Sequence, residues 1–538
     1  EGGGAGPLHP ARDGQGAARW RSAPAARQPG GDFSLLPPPF SLLRLLTVVC
    51  DARRMDTAAM REELEALYGR LLEAASRVPA GLPPEQARSL ANLLAYRELR
   101  RHDISALQMA LADAGLSSLG RLEGQVLDSV GRVLGWLGDG HPEPAGPTRA
   151  EAAAVLEQRS RKLLGRPREG RTSRIMVTLD YQEPELEEHL RALLAAGMDI
   201  ARINGAHGGA ADWKRVVSAL REAEKALAAE GKPPGRRCHI EIDLCGPRLR
   251  LAGVPGEVKV QAGDRFRLAR DEKARPRRAT GGDPPLITCS IPRVLANVEP
   301  GHTLFIDDGK FTGRVVEVTP GWVEVLVISP DDRRRRVNAG KGLNLPDTPI
   351  DLPALTDEDR AALPAVAKIA DIVGLSFVHQ GSDIAELHQA LVDVGHPETG
   401  IIAKIETRAG ARNLVSILAE GLRLPAFGVM IARGDLAVEV GFDDLGLYQE
   451  NILCLCEAAH IPAVWATQVL ETLAQVGQPA RAEITDVMEA TRADCVMLNK
   501  GPHVVAAAAM LDRLLTSGHR QREKKRELFR EFMALEGE

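Results

Sequence analysis

Ile401-Ile402-Ala403-Lys404-Ile405-Glu406 is the stretch that decides the fold of this chain. It predicts a buried β-strand that is apolar on both faces, as in a parallel sheet covered by helices, and that ends in a lysine and a glutamate. A parallel α/β barrel places its active residues at such strand ends. There Glu406 could hold a hard divalent cation, and Lys404 could face phosphoryl oxygens. An exposed ion pair explains this one segment equally well, so the argument depends on the other strands.

Length, composition and charge narrow the class of protein. At 538 residues the chain is too long for one core, so we expect two or more domains. The hydrophobic content of 44% is ordinary, and no apolar run reaches the length of about 18 residues that a membrane helix needs. A net charge of -5 gives no reason to expect nucleic acid or a membrane as partner. Seven cysteines without metal-site spacing indicate a reducing, cytoplasmic compartment.

Changes in composition divide the chain into seven segments. Residues 1–54 are rich in Gly, Pro, Ala and Arg and predict a disordered leader, or a plastid address if they are a targeting segment. Leucines at helical spacing predict a helical domain over 55–138, and Gly and Pro predict a linker over 139–172. The other predicted segments are the first part of a barrel at 173–245, an inserted β-rich domain at 246–342, the second part of the barrel at 343–520 and a charged helical tail at 521–538.

Eight predicted strands alternate with helical patterns and indicate an α/β protein with a (β/α)8 TIM barrel. Removal of the insert leaves about 250 residues, the usual size of such a barrel. We therefore predict a barrel with a β-rich lid domain inserted after its third strand and a small all-α domain before it. The predicted strands are Ile175–Leu179, Ile200–Asn204, His239–Leu244, Ile372–Phe377, Ile401–Ile405, Phe427–Ala432, Ala463–Thr467 and Cys495–Leu498.

Polar residues recur where these strands end. Taken alone, each of these polar residues is explained equally well by a structural role, such as an ion pair or a cap. Together they predict one ring of carboxylates, a lysine, two arginines and a glycine that lets backbone N–H groups approach an anion. Such a ring fits Mg²⁺-assisted phosphoryl transfer to or from a small carboxylate. Its members are Arg202 and Asn204 from the second strand, Asp243 from the third, Lys404 and Glu406 from the fifth, Arg433, Gly434 and Asp435 after the sixth, and Thr467 from the seventh.

Several short segments of the chain, within about residues 173–515, resemble the pyruvate kinase family. The similar segments are Met198–Asn204, Ile306–Gly309, Lys341–Pro346, Ile402–Glu406, Met430–Leu436, Ala466–Glu471 and Arg481–Glu483. The resemblance is to a form with a helical N-terminal extension and without the C-terminal regulatory domain. It implies an ATP-binding glycolytic transferase, dependent on Mg²⁺ or Mn²⁺, that converts phosphoenolpyruvate and ADP into pyruvate and ATP. It leaves open whether the chain forms a homo-oligomer.

The resemblance also implies a role for each residue of the ring. Glu406 and Asp435 would ligate the divalent metal. Lys404, Arg202 and Thr467 would be catalytic, and the inserted lid would close to exclude water. The implied substrate contacts are Arg202, Lys404, Thr467 and the backbone at Arg433, Gly434 and Asp435, and the implied nucleotide contacts are Asn204, His207, Arg250 and Lys341.

The chain departs from the family pattern at a monovalent-cation site. The family builds this site from Asn204, residue 206, Asp243 and the carbonyl of residue 244, but Ala206 lacks the hydroxyl of the family's Ser, and Leu244 replaces a Thr. Arg248 stands where the family commonly has Glu, and its charge would replace that of K⁺. The resemblance therefore implies that K⁺ is not required.

Departures at other strand ends keep two alternatives open. The segments Asp180-Tyr181 and Asn499-Lys500-Gly501-Pro502 do not match the family, and His379 replaces an Arg. The first alternative is therefore a catalytically weak or inactive barrel that acts as a binding or regulatory protein. The second is a metal-dependent lyase or aldolase. The lid and Lys341 argue against this second alternative, because a lyase needs no nucleotide lid.

Overall fold

The structure, a computed structural model, describes residues 55–138, 145–231, 236–523 and 526–527. The predicted leader at 1–54 lies outside these residues. Within the described part of the chain, no helix combines the length and the apolar character that a membrane crossing requires. The six cysteines of this part form no disulfide.

Within the described residues, five helices and one 3-10 turn precede the barrel. Their apolar faces pack into a core that continues into the barrel. Leu64, Leu67 and Leu93 are fully buried there, as expected for apolar residues at helical spacing. The helices are α1 (Thr57–Ala75), α2 (Pro84–Leu99), α3 (Ser105–Asp113), α4 (Val126–Leu137) and α5 (Arg149–Leu164), and the 3-10 turn is Glu123–Gln125.

Helix α5 lies in the segment that was predicted to be a linker. It begins with a capping box, in which the backbone N–H of Glu151 donates to Thr148 Oγ1 at 3.3 Å and that of Thr148 donates to Glu151 Oε2 at 2.8 Å. The neighbouring Gly and Pro residues favour a linker, but the capping box starts a helix here. A helix therefore replaces the predicted linker over these residues.

Eight parallel strands close into a barrel, which confirms the predicted fold class. Most helices pack on the outside of the barrel, and side chains from the strands fill its interior. The elements before the insert are β1 (Arg174–Thr178), α6 (Leu186–Ala195), β2 (Ile200–Asn204), α7 (Ala210–Ala229) and β3 (His239–Asp243).

A β-rich lid is inserted after β3, as predicted. Seven of its strands form a mixed sheet, two others pair separately, and the lid has its own apolar core. The strands are β4 (Leu251–Gly253), β5 (Val258–Val260), β6 (Arg265–Ala269), β7 (Leu286–Cys289), β8 (Thr303–Ile306), β9 (Phe311–Val318), β10 (Trp322–Ser329), β11 (Arg335–Val337) and β12 (Leu343–Asn344), with a 3-10 turn at Pro292–Asn297.

The second part of the barrel completes the cylinder. The order around it is β1-β17-β16-β15-β14-β13-β3-β2, so strands that follow one another along the chain are neighbours. The elements are α8 (Asp357–Val366), β13 (Ile372–Leu375), α9 (Gly381–Asp393), β14 (Gly400–Ile405), α10 (Arg408–Arg412), α11 (Leu414–Gly421), β15 (Phe427–Ala432), α12 (Arg433–Val440), α13 (Phe442–Ala458), β16 (Ala463–Ala466), α14 (Glu471–Val476), α15 (Arg481–Ala490), β17 (Cys495–Leu498) and α16 (Val504–Gln521).

The end of the chain differs from the predicted helical tail. Helix α16 ends at Gln521, and β18 (Arg522–Glu523) pairs antiparallel with β19 (Arg526–Glu527). The remainder of the predicted tail, 528–538, lies outside the described residues.

The helical region is fastened to the barrel by Asn92. Its amide nitrogen donates to the carbonyls of Glu123 and Ala458 at 2.7 Å and 2.8 Å, and its Oδ1 accepts from the backbone N–H of Val126 at 2.9 Å. The side chain is 1% exposed. A buried amide with these partners fixes α2 against α13.

Leu163 of α5 closes the barrel at the N-terminal ends of its strands. It is 2% exposed and belongs to the apolar cluster inside the barrel, with Met176 and Ile402. A Cβ atom on Gly400 or Gly428 would lie 2.6 Å or 2.5 Å from a methyl group of Leu163. The two glycines therefore provide the space that this leucine fills.

We expect Leu163→Ala to lower the free energy of unfolding by about 2–5 kcal/mol, because it leaves a cavity in a closed core. Denaturant unfolding followed by circular dichroism measures this. Leu72→Ala is the matched control, since Leu72 on α1 is 38% exposed, and it should cost under about 1 kcal/mol. Equal costs for the two variants would contradict the closure of the barrel by Leu163.

Candidate active site

Lys404 and Arg202 meet at Asp243 inside the C-terminal end of the barrel. Lys404 Nζ lies 3.2 Å from Asp243 Oδ2 and 2.9 Å from Glu406 Oε1. Arg202 donates from Nε to Asp243 Oδ2 at 3.1 Å and from Nη1 to Thr178 Oγ1 at 2.8 Å. All five residues are buried. Side chains that the sequence places at the ends of separate strands thus form one buried network.

The charges in this network hold one another ionised. Burial acts to lower the pKa of the Lys404 amine, but the charges of Asp243 and Glu406 raise it instead. Burial acts to raise the pKa of Asp243, yet Arg202 and Lys404 hold it well below its usual range. Lys404 is therefore a fixed ammonium group at neutral pH.

Glu241 lies beside this network, and sequence reasoning missed it. It is fully buried, and Oε2 lies 3.7 Å from Arg202 Nε. Burial and the neighbouring charge of Asp243 raise the pKa of Glu241 well above its usual range. A Cβ atom on Gly374 would overlap the carboxyl groups of both Glu241 and Asp243. The sequence does contain a signal for Glu241, because it lies two residues before Asp243 on β3 and residues two apart on a strand face the same side.

Asp435 is the second carboxylate of the predicted metal site, in the first turn of α12. Burial raises the pKa of Asp435 to about 7 and the charge of Glu406 adds to this, while Lys404 and Arg248 oppose it. Glu406 itself accepts from the backbone N–H of Phe377 at 2.8 Å. Two carboxylates that repel each other in a buried site suit a divalent cation, which would relieve that repulsion.

The donor set at this site consists of carboxylates. In the described part of the chain, no three side chains of His, Cys, Asp or Glu gather as a metal cluster. Magnesium is commonly held by one or two carboxylates, and substrate oxygens and water complete its shell. Glu406 and Asp435 therefore fit a cation that is bound jointly with a substrate.

Arg433 uses its guanidinium to hold the loop after β16. It donates to the carbonyls of Ala466 and Thr467, pairs with Asp486 at 2.9 Å from Nη2 to Oδ2, and lies 4.6 Å from the centre of the Trp465 ring. These contacts engage the side chain structurally. The anion contact predicted for this segment involves its backbone N–H groups and does not need this side chain.

Thr467 lies against Gly434 in a strained loop. A Cβ on Gly434 would lie 3.0 Å from Thr467 Cγ2. Thr467, Gln468 and Leu470 have φ angles of 70°, 58° and 46°. For such residues this left-handed conformation costs on the order of 1–3 kcal/mol each and concentrates at functional sites. It also explains why β16 ends one residue before the predicted end of the seventh strand.

The predicted nucleotide contacts separate into two cavities. Asn204 and His207 line a cavity of about 280 Å³ at the ends of β1, β2 and β17. Arg250 and Lys341 line a cavity of about 500 Å³ between lid and barrel, which also contains Asp435. The structure does not bring the four residues together.

Both lid residues have partners within the lid. Arg250 Nη1 donates to the carbonyl of Gly340 at 2.6 Å, and Lys341 Nζ lies 3.0 Å from Asp307 Oδ1. A nucleotide that contacts all four predicted residues therefore requires the lid to move or these partners to exchange.

Protein groups already bond several atoms of the predicted monovalent-cation site. Ser376 Oγ donates to the carbonyl of Leu244 at 2.8 Å and accepts from Lys404 Nζ at 2.8 Å. Asn204 Oδ1 accepts from the backbone N–H of Ala206 at 3.1 Å. Asp243, the carboxylate of this predicted site, is paired through Oδ2 with Arg202 and Lys404. Ser376 is a further site residue that sequence reasoning missed.

Fold and site place the chain among (β/α)8 barrel proteins that carry a charged site beneath an inserted β lid. The sequence model of the pyruvate kinase barrel domain matches residues 170–509. The chain therefore belongs to the pyruvate kinase family, as its motifs indicate.

Curated relatives agree with this assignment. They include the pyruvate kinase of Hypocrea jecorina, 34% identical over 58% of this chain and 55% of that protein, and that of Eimeria tenella, 31% identical over 60% and 58%. Pyruvate kinase PKLR of Homo sapiens is 33% identical over 64% of this chain and 59% of that protein. The chain thus spans little more than half the length of these relatives.

We expect the affinity for Mn²⁺ to rise with pH up to about 7, because the proton on Asp435 must leave before the carboxylate can bind a cation. Below that pH the affinity should fall by about tenfold per unit. Titration calorimetry across this range measures it.

Asp435→Asn should weaken binding and remove the pH dependence. Asp443→Asn is the matched control, because Asp443 is exposed in the first turn of α13 and should leave both unchanged. A flat affinity between about pH 6 and about pH 8 would contradict the assignment of Asp435.

Proposed function

We propose that this protein transfers the phosphoryl group of phosphoenolpyruvate to ADP and releases pyruvate and ATP. The observation that carries this proposal is the ammonium group of Lys404, held between Asp243 and Glu406 where barrel strands end. Family membership and the names of the curated relatives support it.

Glu406 and Asp435 would hold Mg²⁺ or Mn²⁺, which supplies Lewis-acid polarisation of the substrate's phosphoryl and carboxylate oxygens when bound. Lys404 places a second positive charge beside them. It would stabilise the negative charge that builds on the transferring phosphoryl group and on the enolate oxygen. Because the network holds this charge in place before substrate arrives, little reorganisation is needed.

Arg202 would hold the phosphoryl group. Three of its five N–H groups are used by Asp243 and Thr178, which leaves two for phosphoryl oxygens. The two partners fix the guanidinium plane, so the remaining donors have a defined direction. Thr467 would lie on the proton path to the enolate carbon, and backbone N–H groups around Gly434 would receive the substrate carboxylate.

Lid movement would assemble the nucleotide site. Arg250 and Lys341 belong to the lid, whereas Asn204 and His207 belong to the barrel. A contact of 3.3 Å between Asn344 Nδ2 and Glu439 Oε1 joins lid and barrel at the edge of the larger cavity. Closure would bring the two sets together and exclude water that competes with ADP.

The alternative is a binding or regulatory protein with little turnover. The observation that favours it is an ion pair of 3.0 Å between Lys500 Nζ and Asp180 Oδ2. The pair joins the loops after β1 and β17, which both depart from the family pattern beside the cavity of Asn204 and His207. It would limit access for the nucleotide and leave the carboxylate site intact.

Lys404→Met should lower the rate of pyruvate formation by at least about 10²–10³-fold, because the stabilising charge is lost. A coupled assay with ADP, Mg²⁺ and phosphoenolpyruvate measures it. Lys368→Met, at an exposed lysine after α8, is the matched control and should keep full activity. If the unmodified protein binds phosphoenolpyruvate but forms no pyruvate, the alternative function is correct.

We further propose that turnover does not require K⁺. The charge of Arg248 acts on Asp435 and lowers its pKa, so a permanent cation already reaches the metal site. The hydrogen bonds of Leu244 and Asn204 described above support the same conclusion.

Rates with and without K⁺ at equal ionic strength should agree within about twofold, a difference of under ~0.5 kcal/mol in the barrier. Arg248→Glu should create a K⁺ requirement, since it removes that cation. A large K⁺ activation of the unmodified protein would refute this proposal, whether or not the reaction itself is confirmed.

A further inference from the structure

Ser376 lies beside the ammonium group of Lys404, directly after β13. Its side chain is fully buried, and its Oγ lies 2.8 Å from Lys404 Nζ and 2.8 Å from the carbonyl oxygen of Leu244. An ammonium group only donates hydrogen bonds, and a carbonyl oxygen only accepts them. The hydroxyl therefore accepts from Lys404 and donates to Leu244, so its two partners fix its orientation.

Two neighbouring strands of the barrel hold this hydroxyl in place. Strand β13, which Ser376 follows, pairs with β3, and Leu244 comes directly after β3. The backbone N–H of Leu244 donates to the carbonyl of Gly374 at 2.8 Å. A Cβ atom on Gly246 would lie 3.1 Å from Ser376 Cβ, so the loop after β3 packs closely against the serine. Ser376 is thus a fixed acceptor for the ammonium group.

The three N–H groups of Lys404 have three acceptors in this structure. Besides Ser376 Oγ, these acceptors are Asp243 Oδ2 at 3.2 Å and Glu406 Oε1 at 2.9 Å. An ammonium group has three donors and no more. A phosphoryl or enolate oxygen that approaches Lys404 must therefore displace one of these acceptors.

The other bonds of the three acceptors indicate which of them is displaced. Glu406 is the carboxylate that would ligate Mg²⁺, and the metal would compete with Lys404 for it. Asp243 is shared with Arg202. Ser376 is uncharged, and its second hydrogen bond goes to a backbone carbonyl, so the metal does not compete for it. Glu406 is therefore the contact that is exchanged, and Ser376 is the contact that remains.

We propose that Ser376 is a positioning residue for Lys404. Given the proposed function, on which this role rests, the hydroxyl keeps the ammonium group beside the substrate when Glu406 turns to the metal. Such precision matters, because a displacement of about 1 Å in a group that acts on the reacting atoms can cost about 10²-fold in rate.

Ser376→Ala should lower kcat for pyruvate formation by about tenfold or more, as expected for the loss of one hydrogen bond to a charged group. The KM for phosphoenolpyruvate should stay within about threefold, because Lys404 acts mainly on charge that develops during transfer. The matched control is Ser173→Ala. Ser173 is also buried and donates to a carbonyl, that of Ala493 at 2.6 Å, but it lies before β1 at the other end of the barrel, so this variant should keep its kcat.

Ser376→Cys separates hydrogen bonding from packing. A thiol fills nearly the same space as the hydroxyl, but it is a weak donor and a weak acceptor. The cysteine variant should therefore lose most of the activity that the alanine variant loses. Full activity of Ser376→Cys would mean that the serine only fills space, and it would overturn the proposal. The cysteine variant replaces Ser376→Ala in every measurement if the alanine variant does not fold.

Oxalate tests the same role without turnover. It is a planar dianion that matches the enolate of pyruvate in charge and in the placement of its oxygens, so a site built for that charge should bind it. Titration calorimetry with Mg²⁺ should show an oxalate affinity at least about fivefold weaker for Ser376→Ala than for the unmodified protein or Ser173→Ala. The affinity for Mn²⁺ alone should be equal in all three, since the hydroxyl bonds Lys404 and Leu244 rather than the metal ligands.

Three further results would overturn the proposal. They are an unchanged kcat of Ser376→Ala, an equal oxalate affinity of this variant and the unmodified protein, and no binding of oxalate to the unmodified protein at millimolar concentration. A failure of the proposed function looks different. In that case the unmodified protein forms no pyruvate, but its oxalate affinity still depends on Ser376, so the lysine is positioned as proposed for another reaction.

Discussion

The burial of Lys404 is the constraint on which the rest of the site depends. An ammonium group inside a barrel is tolerated only if carboxylates pair with it, and Asp243 and Glu406 do so. Arg202 shares Asp243, so the network brings two cations together with the carboxyl groups of Asp243 and Glu406. A third negative charge would have no partner of its own, which is the physical reason that the pKa of Glu241 is raised. The charges are thus fixed before any substrate arrives, which is the arrangement that electrostatic catalysis needs.

The two ends of the barrel differ in what their residues do: one end stabilises the fold and the other forms the candidate site. At the N-terminal ends of the strands, Leu163 fills the space left by Gly400 and Gly428, and Asn92 fastens the helical region to the outside of the barrel. These contacts stabilise the fold. At the C-terminal ends, charged groups gather, and the left-handed backbone around Thr467 stores strain. The well-packed N-terminal end of the barrel supplies the stability that such a strained site requires.

The sequence by itself determined the barrel and the position of the site. Buried strands that alternate with helices can close only as a parallel barrel or sheet, and residues at their C-terminal ends must then meet on one face. The bounds of β2, β15 and β17 follow from their apolar pattern alone. The local signal for α5 was also present, in Thr148 and Glu151, but nearby Gly and Pro residues obscured it.

Only the tertiary structure decided the raised pKa of Glu241, the contacts of the Arg433 side chain and the separation of the nucleotide contacts. The pKa of a buried carboxyl group depends on how many charges gather around it through space, and β2, β3 and β14 are far apart along the chain. The direction of Arg433 depends on the position of Asp486, which lies on another helix. The placement of Arg250 and Lys341 depends on how the lid sits over the barrel. These are distances between elements, and no local pattern of residues encodes them.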